Sequence, residues 1–87
     1  MSKSISRFNN YLSSYQEARD SFMLVAGKLS RARVEMEKAE YAFKSLDRDA
    51  DEQDRVNALA DMAASEIYFE KVSDEFESAR ENFERFS

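Results

Sequence analysis

Three aspartates alternate along one short stretch, Asp47, Asp49 and Asp51, and Glu52 and Asp54 come directly after them. Carboxylates at the first, third and fifth places of a loop are how a calcium-binding EF-hand begins. That geometry also needs a glycine at the sixth place for a sharp turn and a bidentate glutamate at the twelfth. Glu52 and Ala58 stand there instead. Both strict positions fail, so we expect no calcium or other metal at this loop.

A di-metal site in a helical bundle needs several inward carboxylates together with Glu-x-x-His pairs. Only Glu66 falls near an apolar stripe, and the chain contains no His. Glu66 instead reads as a half-buried partner for Arg33, or as a rim residue. The chain also has no Cys, which removes disulfides, thiolate ligands and thiol nucleophiles. Without His or Cys, zinc sites and Ser-His or Cys-His catalysis are excluded. We therefore expect a non-catalytic protein with no cofactor.

The elements that would position these residues are helices. Pro is absent and Gly27 is the only glycine among 87 residues, so the turn chemistry of a β protein is missing. The longest apolar run, FMLVA at residues 22–26, is too short to span a membrane. The expectation is one small all-α domain with no membrane span and a cytoplasmic location.

Two heptad stripes organise the chain. The first places Phe8, Tyr15, Phe22, Leu29, Met36 and Phe43 in one column. From Phe22 a second column joins it, with Val25, Ala32, Ala39 and Leu46. Such a 3-4-3-4 stripe marks a helix packed lengthwise on another helix. Gly27 lies on the opposite face and does not disturb the phase, so it reads as a tolerated mid-helix glycine. The other stripe holds Phe69, Val72, Phe76, Ala79, Phe83 and Phe86, with Val56, Leu59 and Met62 leading into it.

The two stripes are out of phase. Phe43 and Phe69 lie 26 positions apart, and a continuous heptad seam tolerates only remainders of zero, three or four on division by seven. The phase is lost within the acidic stretch, which therefore reads as a turn near residues 47–53, with Asp49 or Asp51 capping the second helix. The fold expected is a long antiparallel helical hairpin, coiled-coil-like, with helices at about residues 14–48 and 52–86 of a domain spanning 14–87. Residues 1–46 hold 8 Lys/Arg and 5 Asp/Glu, whereas residues 47–87 hold 5 and 13. The hairpin therefore lays a basic helix (+3) on an acidic one (−8), with Lys28 and Arg31 level with Asp74 and Glu70. The net charge of −5 argues against direct nucleic-acid binding.

Residues 1–13 form a separate amphipathic arm in this reading. Ser13 and Ser14 each open a capping box, and Asn9 and Asn10 are poor helix formers. Ile5, Phe8 and Leu12 make one apolar face of the arm, with Tyr11 at its edge. The arm could complete a core, capture a partner helix, or use Lys3 and Arg7 at a membrane surface.

A two-helix hairpin buries a single seam, which supplies little net stability. Val34 and Tyr41 point off the first stripe, and Ala60, Ala64, Ile67 and Tyr68 off the second. This excess apolar material implies a second packing surface, most simply a homodimer forming an antiparallel four-helix bundle. Whether the two hairpins run parallel or antiparallel is left open.

Function is then expected to lie in binding another protein, as inhibitor, chaperone or assembly factor. The partner-binding residues would be Ile5, Phe8, Tyr11, Leu12, Val34, Tyr41, Ile67 and Tyr68. The alternative is an acidic face, Glu70, Asp74, Glu77, Glu81 and Glu84, imitating nucleic-acid phosphates to block a DNA- or RNA-binding protein. Lys71, Arg80 and Arg85 interrupt that row. Because the loop fails as a calcium site, millimolar calcium should leave the thermal melt, followed by circular dichroism, unchanged. An upward shift of several degrees would favour the second alternative, a hairpin that binds calcium or another metal at its loop.

Overall fold

With no proline and with the column Phe8, Tyr15, Phe22 in constant phase, nothing in the first half of the chain forces a helix to stop or restart. The computed structural model describes residues 2–86, with side chains from Ile5 onward. Met1 and Ser87, which belong to the ranges 1–13 and 14–87, lie outside the described residues, as does the Lys3 side chain. Helix α1 runs unbroken over Ser2–Lys44 and helix α2 over Glu52–Glu84. No strand occurs among the described residues. The molecule is an antiparallel helical hairpin, 76 Å long and 16 by 13 Å across.

The helix bounds correct two expectations. The first helix does not begin near residue 14, because the Ser13 and Ser14 motifs sit in mid-helix. A serine caps a helix only where the chain before it leaves the helical path. Here the carbonyls of the preceding turn accept ordinary helical hydrogen bonds from the N–H groups that a cap would serve, and two asparagines cost only a few tenths of a kcal/mol each. The same helix ends at Lys44 rather than 48, which leaves residues 45–51 as the turn.

Burial follows the heptad spacing closely. On α1 the seam row is Tyr15, Ala18, Phe22, Val25, Leu29, Ala32, Met36, Ala39 and Phe43, in steps of three and four, with Ala26, Gly27, Lys28 and Glu40 partly covered beside it. On α2 the row is Ala58, Met62, Ser65, Phe69, Val72, Phe76, Ala79 and Phe83, continued by Phe86 just past the helix end, with Glu66, Ser73 and Glu75 partly covered beside it. Val56 and Leu59, expected to lead into this seam, are instead about half exposed, at 52% and 49%. Counting back from Phe69 by heptad steps reaches Ser65, Met62 and Ala58. Spacing, rather than side-chain size, decides which residues face inward.

Ring contacts set the register. Tyr15 lies 5.6 Å from Phe83 and 6.0 Å from Phe86 between ring centroids, and Phe22 lies 5.3 Å from Phe76 and 5.4 Å from Phe83. In this register Ala18 is level with Phe83, and Ala32 with Phe69. Large side chains thus meet small ones, which lets two helices interlock along their length. Among the described residues only Ala18, Ala32 and Val72 are buried, Val72 almost completely.

Electrostatic pairing across the seam is sparse. Lys28 Nζ sits 3.5 Å from Glu75, the single ion pair between the helices among the described residues. The expected matches of Lys28 with Asp74 and Arg31 with Glu70 therefore do not form; the register brings Glu75, on the flank of the seam, to Lys28. Nor does Arg33 pair with Glu66. Its guanidinium lies over the Phe69 ring, 5.8 Å from the centroid, where the ring face attracts the cation without fixing a long side chain to one acceptor.

Two near neighbours on α1 separate the seam from the outer surface. Phe22→Ala removes both of its ring contacts and should destabilise the hairpin by about 2–4 kcal/mol. Leu24→Ala, on an exposed position, should change stability by less than about 0.5 kcal/mol. Urea denaturation of the two variants measures the contrast.

Candidate interaction surfaces

The backbone of the acidic loop is tied by the Arg55 side chain. Asp51 occupies the N-cap position of α2, with φ −57° and ψ 143°, but its carboxylate makes no capping hydrogen bond. Its carbonyl accepts from the Arg55 backbone N–H at 3.1 Å. The Arg55 guanidinium turns back and donates to the carbonyl of Asp47 at 3.2 Å and to that of Arg48. Glu52 and Asp54 stand in the first turn of α2, where negative charge complements the helix dipole. Among the described residues, no group of three or more Asp or Glu is arranged to hold a metal ion.

At the opposite end, α1 extends about three turns past the last residues of α2. Tyr11 marks the transition. Its hydroxyl donates to the Phe86 carbonyl at 3.2 Å, and its ring meets the Phe86 ring edge-on at 5.5 Å. Beyond it, on the overhang, Ile5 and Phe8 are 60% and 63% exposed.

All eight apolar residues expected to bind a partner lie at the surface, between 40% and 75% exposed. The structure does not gather them into one patch. Ile5, Phe8, Tyr11 and Leu12 share the overhanging end of α1. Val34 and Tyr41 lie on the outer face of α1, and Ile67 on that of α2 with Tyr68 at its flank.

Among the described residues four further large apolar side chains are exposed: Met23, Leu24, Val56 and Leu59. The last two reveal a pattern on α2. Val56, Ala60, Ala63 and Ile67 are spaced 4-3-4, all exposed, with Leu59 alongside. The same spacing continues without a break through Glu70, Asp74, Glu77, Glu81 and Glu84, also all exposed. The outer face of α2 is thus one heptad stripe, apolar in its first half and acidic in its second. Counting in heptads along the outer face would have found it from sequence.

Within the acidic half, Arg80 binds Glu77 at 2.6 Å and lies 3.8 Å from Glu84. Two shallow grooves run along the side of the hairpin that carries Lys28 and Glu75. Small side chains open them: Ala39, Ala42 and Ala58 in one, Ser21, Ser78 and Ala79 in the other. No described helix is long and apolar enough to cross a membrane. Comparison with protein-family models, with curated proteins and with solved structures finds no match to the chain.

The role of Arg55 in the turn is open to test. Arg55→Ala should destabilise the hairpin by about 1 kcal/mol in urea denaturation. Arg55→Lys should recover only part of this, because an ammonium cannot fork to two carbonyls as a guanidinium does.

Proposed function

We propose that this chain is a non-catalytic helical interaction module that self-associates and binds another protein through apolar helix faces outside its own seam. The observation that carries this reading is the exposure of large apolar side chains at both ends of the hairpin, Phe8 and Ile5 at one and Ile67, Leu59 and Val56 nearer the other. Monomeric proteins rarely leave contiguous apolar stripes in water, and such stripes mark interaction sites. The side-chain inventory supports the non-catalytic part of the proposal. With neither His nor Cys, acid–base or nucleophilic chemistry would fall to carboxylates, Lys, Tyr or Ser.

A second reading draws on the acidic half of the α2 stripe. Five carboxylates at 4-3-4-3 spacing along one exposed face resemble a row of phosphates and would attract a basic DNA- or RNA-binding protein. The pairing of Arg80 with Glu77 and Glu84 weakens that row, so the apolar reading is preferred.

Salt separates the two. Affinity capture from the native host with the full chain should retain its partner in molar salt and lose it on Phe8→Asp substitution. A partner that is a basic nucleic-acid-binding protein, insensitive to Phe8→Asp and released by salt, would establish the second reading instead.

A further inference from the structure

We infer that the uncovered apolar surface is closed by a second copy of this chain lying antiparallel to the first. In this arrangement the overhanging start of α1 in each copy lies along the apolar half of the other's α2 stripe. The inference rests on the self-association proposed above and adds its occupant, orientation and face.

Surface area points to a second copy. A compact monomer of 10.1 kDa exposes roughly 5,300 Å². The hairpin exposes 6986 Å², an excess of about 1,700 Å² relative to that scaling. Two copies together would therefore have about 3,400 Å² to bury, the size of an obligate homodimer interface.

Helix direction sets the orientation. Because α1 and α2 run oppositely within the hairpin, a copy turned end for end brings its α1 parallel to the first copy's α2. Let both of these helices start level, Ser2 beside Asp51. Ile5 then falls level with Asp54 of the second copy, and Leu12 level with Asp61. The apolar overhang is thereby laid over Val56, Leu59 and Ala63. Further along, Arg19 arrives between Glu66 and Glu70, and Arg33 beside Glu81. Apolar meets apolar and basic meets acidic under one offset. A copy running the same way would instead put its overhang beyond the acidic end of α2, near Glu81 and Glu84, and leave Val56 and Leu59 without it.

Apolar continuity selects the side. The flank of the seam away from the Lys28–Glu75 pair carries Leu12 and Leu59, which adjoin the exposed Val56 and Ala63, together with Arg19, Arg33, Glu40, Glu66 and Arg80. The other flank carries Lys28, Glu35, Asp54, Asp61 and Glu75, and there Asp54 and Asp61 would be desolvated against Ile5 and Leu12.

Because the chain has no Cys, single cysteines can be placed for fluorescent labelling. In sedimentation at micromolar concentration the full chain should be a dimer. Energy transfer should be strong between Ser6→Cys on one copy and Asp49→Cys on the other, and weak between two Asp49→Cys copies, which lie nearly a molecular length of 76 Å apart. Phe8→Glu should weaken dimerisation by about tenfold or more, and adding Leu59→Lys to it should recover most of that loss. Leu24→Glu, on the opposite flank, should change dimerisation little. A monomer would overturn both this inference and the self-association beneath it. A dimer with strong transfer between two Asp49→Cys copies would overturn the orientation alone. A dimer disrupted by Leu24→Glu but not by Phe8→Glu would overturn the face.

Discussion

Two helices laid side by side can bury one row of side chains from each, and everything else about this molecule depends on that constraint. Heptad spacing on both helices makes the row continuous, and ring contacts of Tyr15 and Phe22 with Phe76 and Phe83 set the register. Even so, only Ala18, Ala32 and Val72 are buried among the described residues. The aromatic rings that line the seam are covered on one side and open on the other. The hairpin is a half-built core, well specified in register and poorly shielded from water.

The seam was legible in the sequence because its signal is periodic. Phe22 to Phe43 and Phe69 to Phe86 repeat with a phase that cannot pass through the acidic stretch, so the turn, the antiparallel pairing and the overhang came from counting. What was not legible depended on choices between local and tertiary preferences. The serines at 13 and 14 carry a helix-start signal, but a helix already under way has no free N–H groups there to cap. Val56 and Leu59 are the right size for a core and the wrong phase for it. Arg33 and Glu66 are oppositely charged and at similar height, yet the nearer attraction for Arg33 is the Phe69 ring. The fork of Arg55 onto two loop carbonyls has no sequence signature, since any cation in the first turn of α2 would read alike.

The acidic loop shows how a cluster of carboxylates can be architecture. Its acids stand around the positive end of α2, and its backbone is tied by Arg55. Chemistry-bearing residue types are therefore concentrated where the chain turns, while the surfaces with unmet physical demand lie elsewhere. The clearest is the outer stripe of α2, which changes from Val56, Ala60, Ala63 and Ile67 to Glu70, Asp74, Glu77, Glu81 and Glu84 without losing its heptad phase. A polarity step of that kind along one helix face would give a partner helix both a direction and a register.

On this account the folded hairpin is incomplete by itself and gains stability from association. The most direct measurement is the melting temperature of the full chain across a hundredfold range of protein concentration. Folding coupled to self-association predicts a midpoint that rises by several degrees with each tenfold increase. A high midpoint independent of concentration would show that the single hairpin is stable alone and would contradict the account.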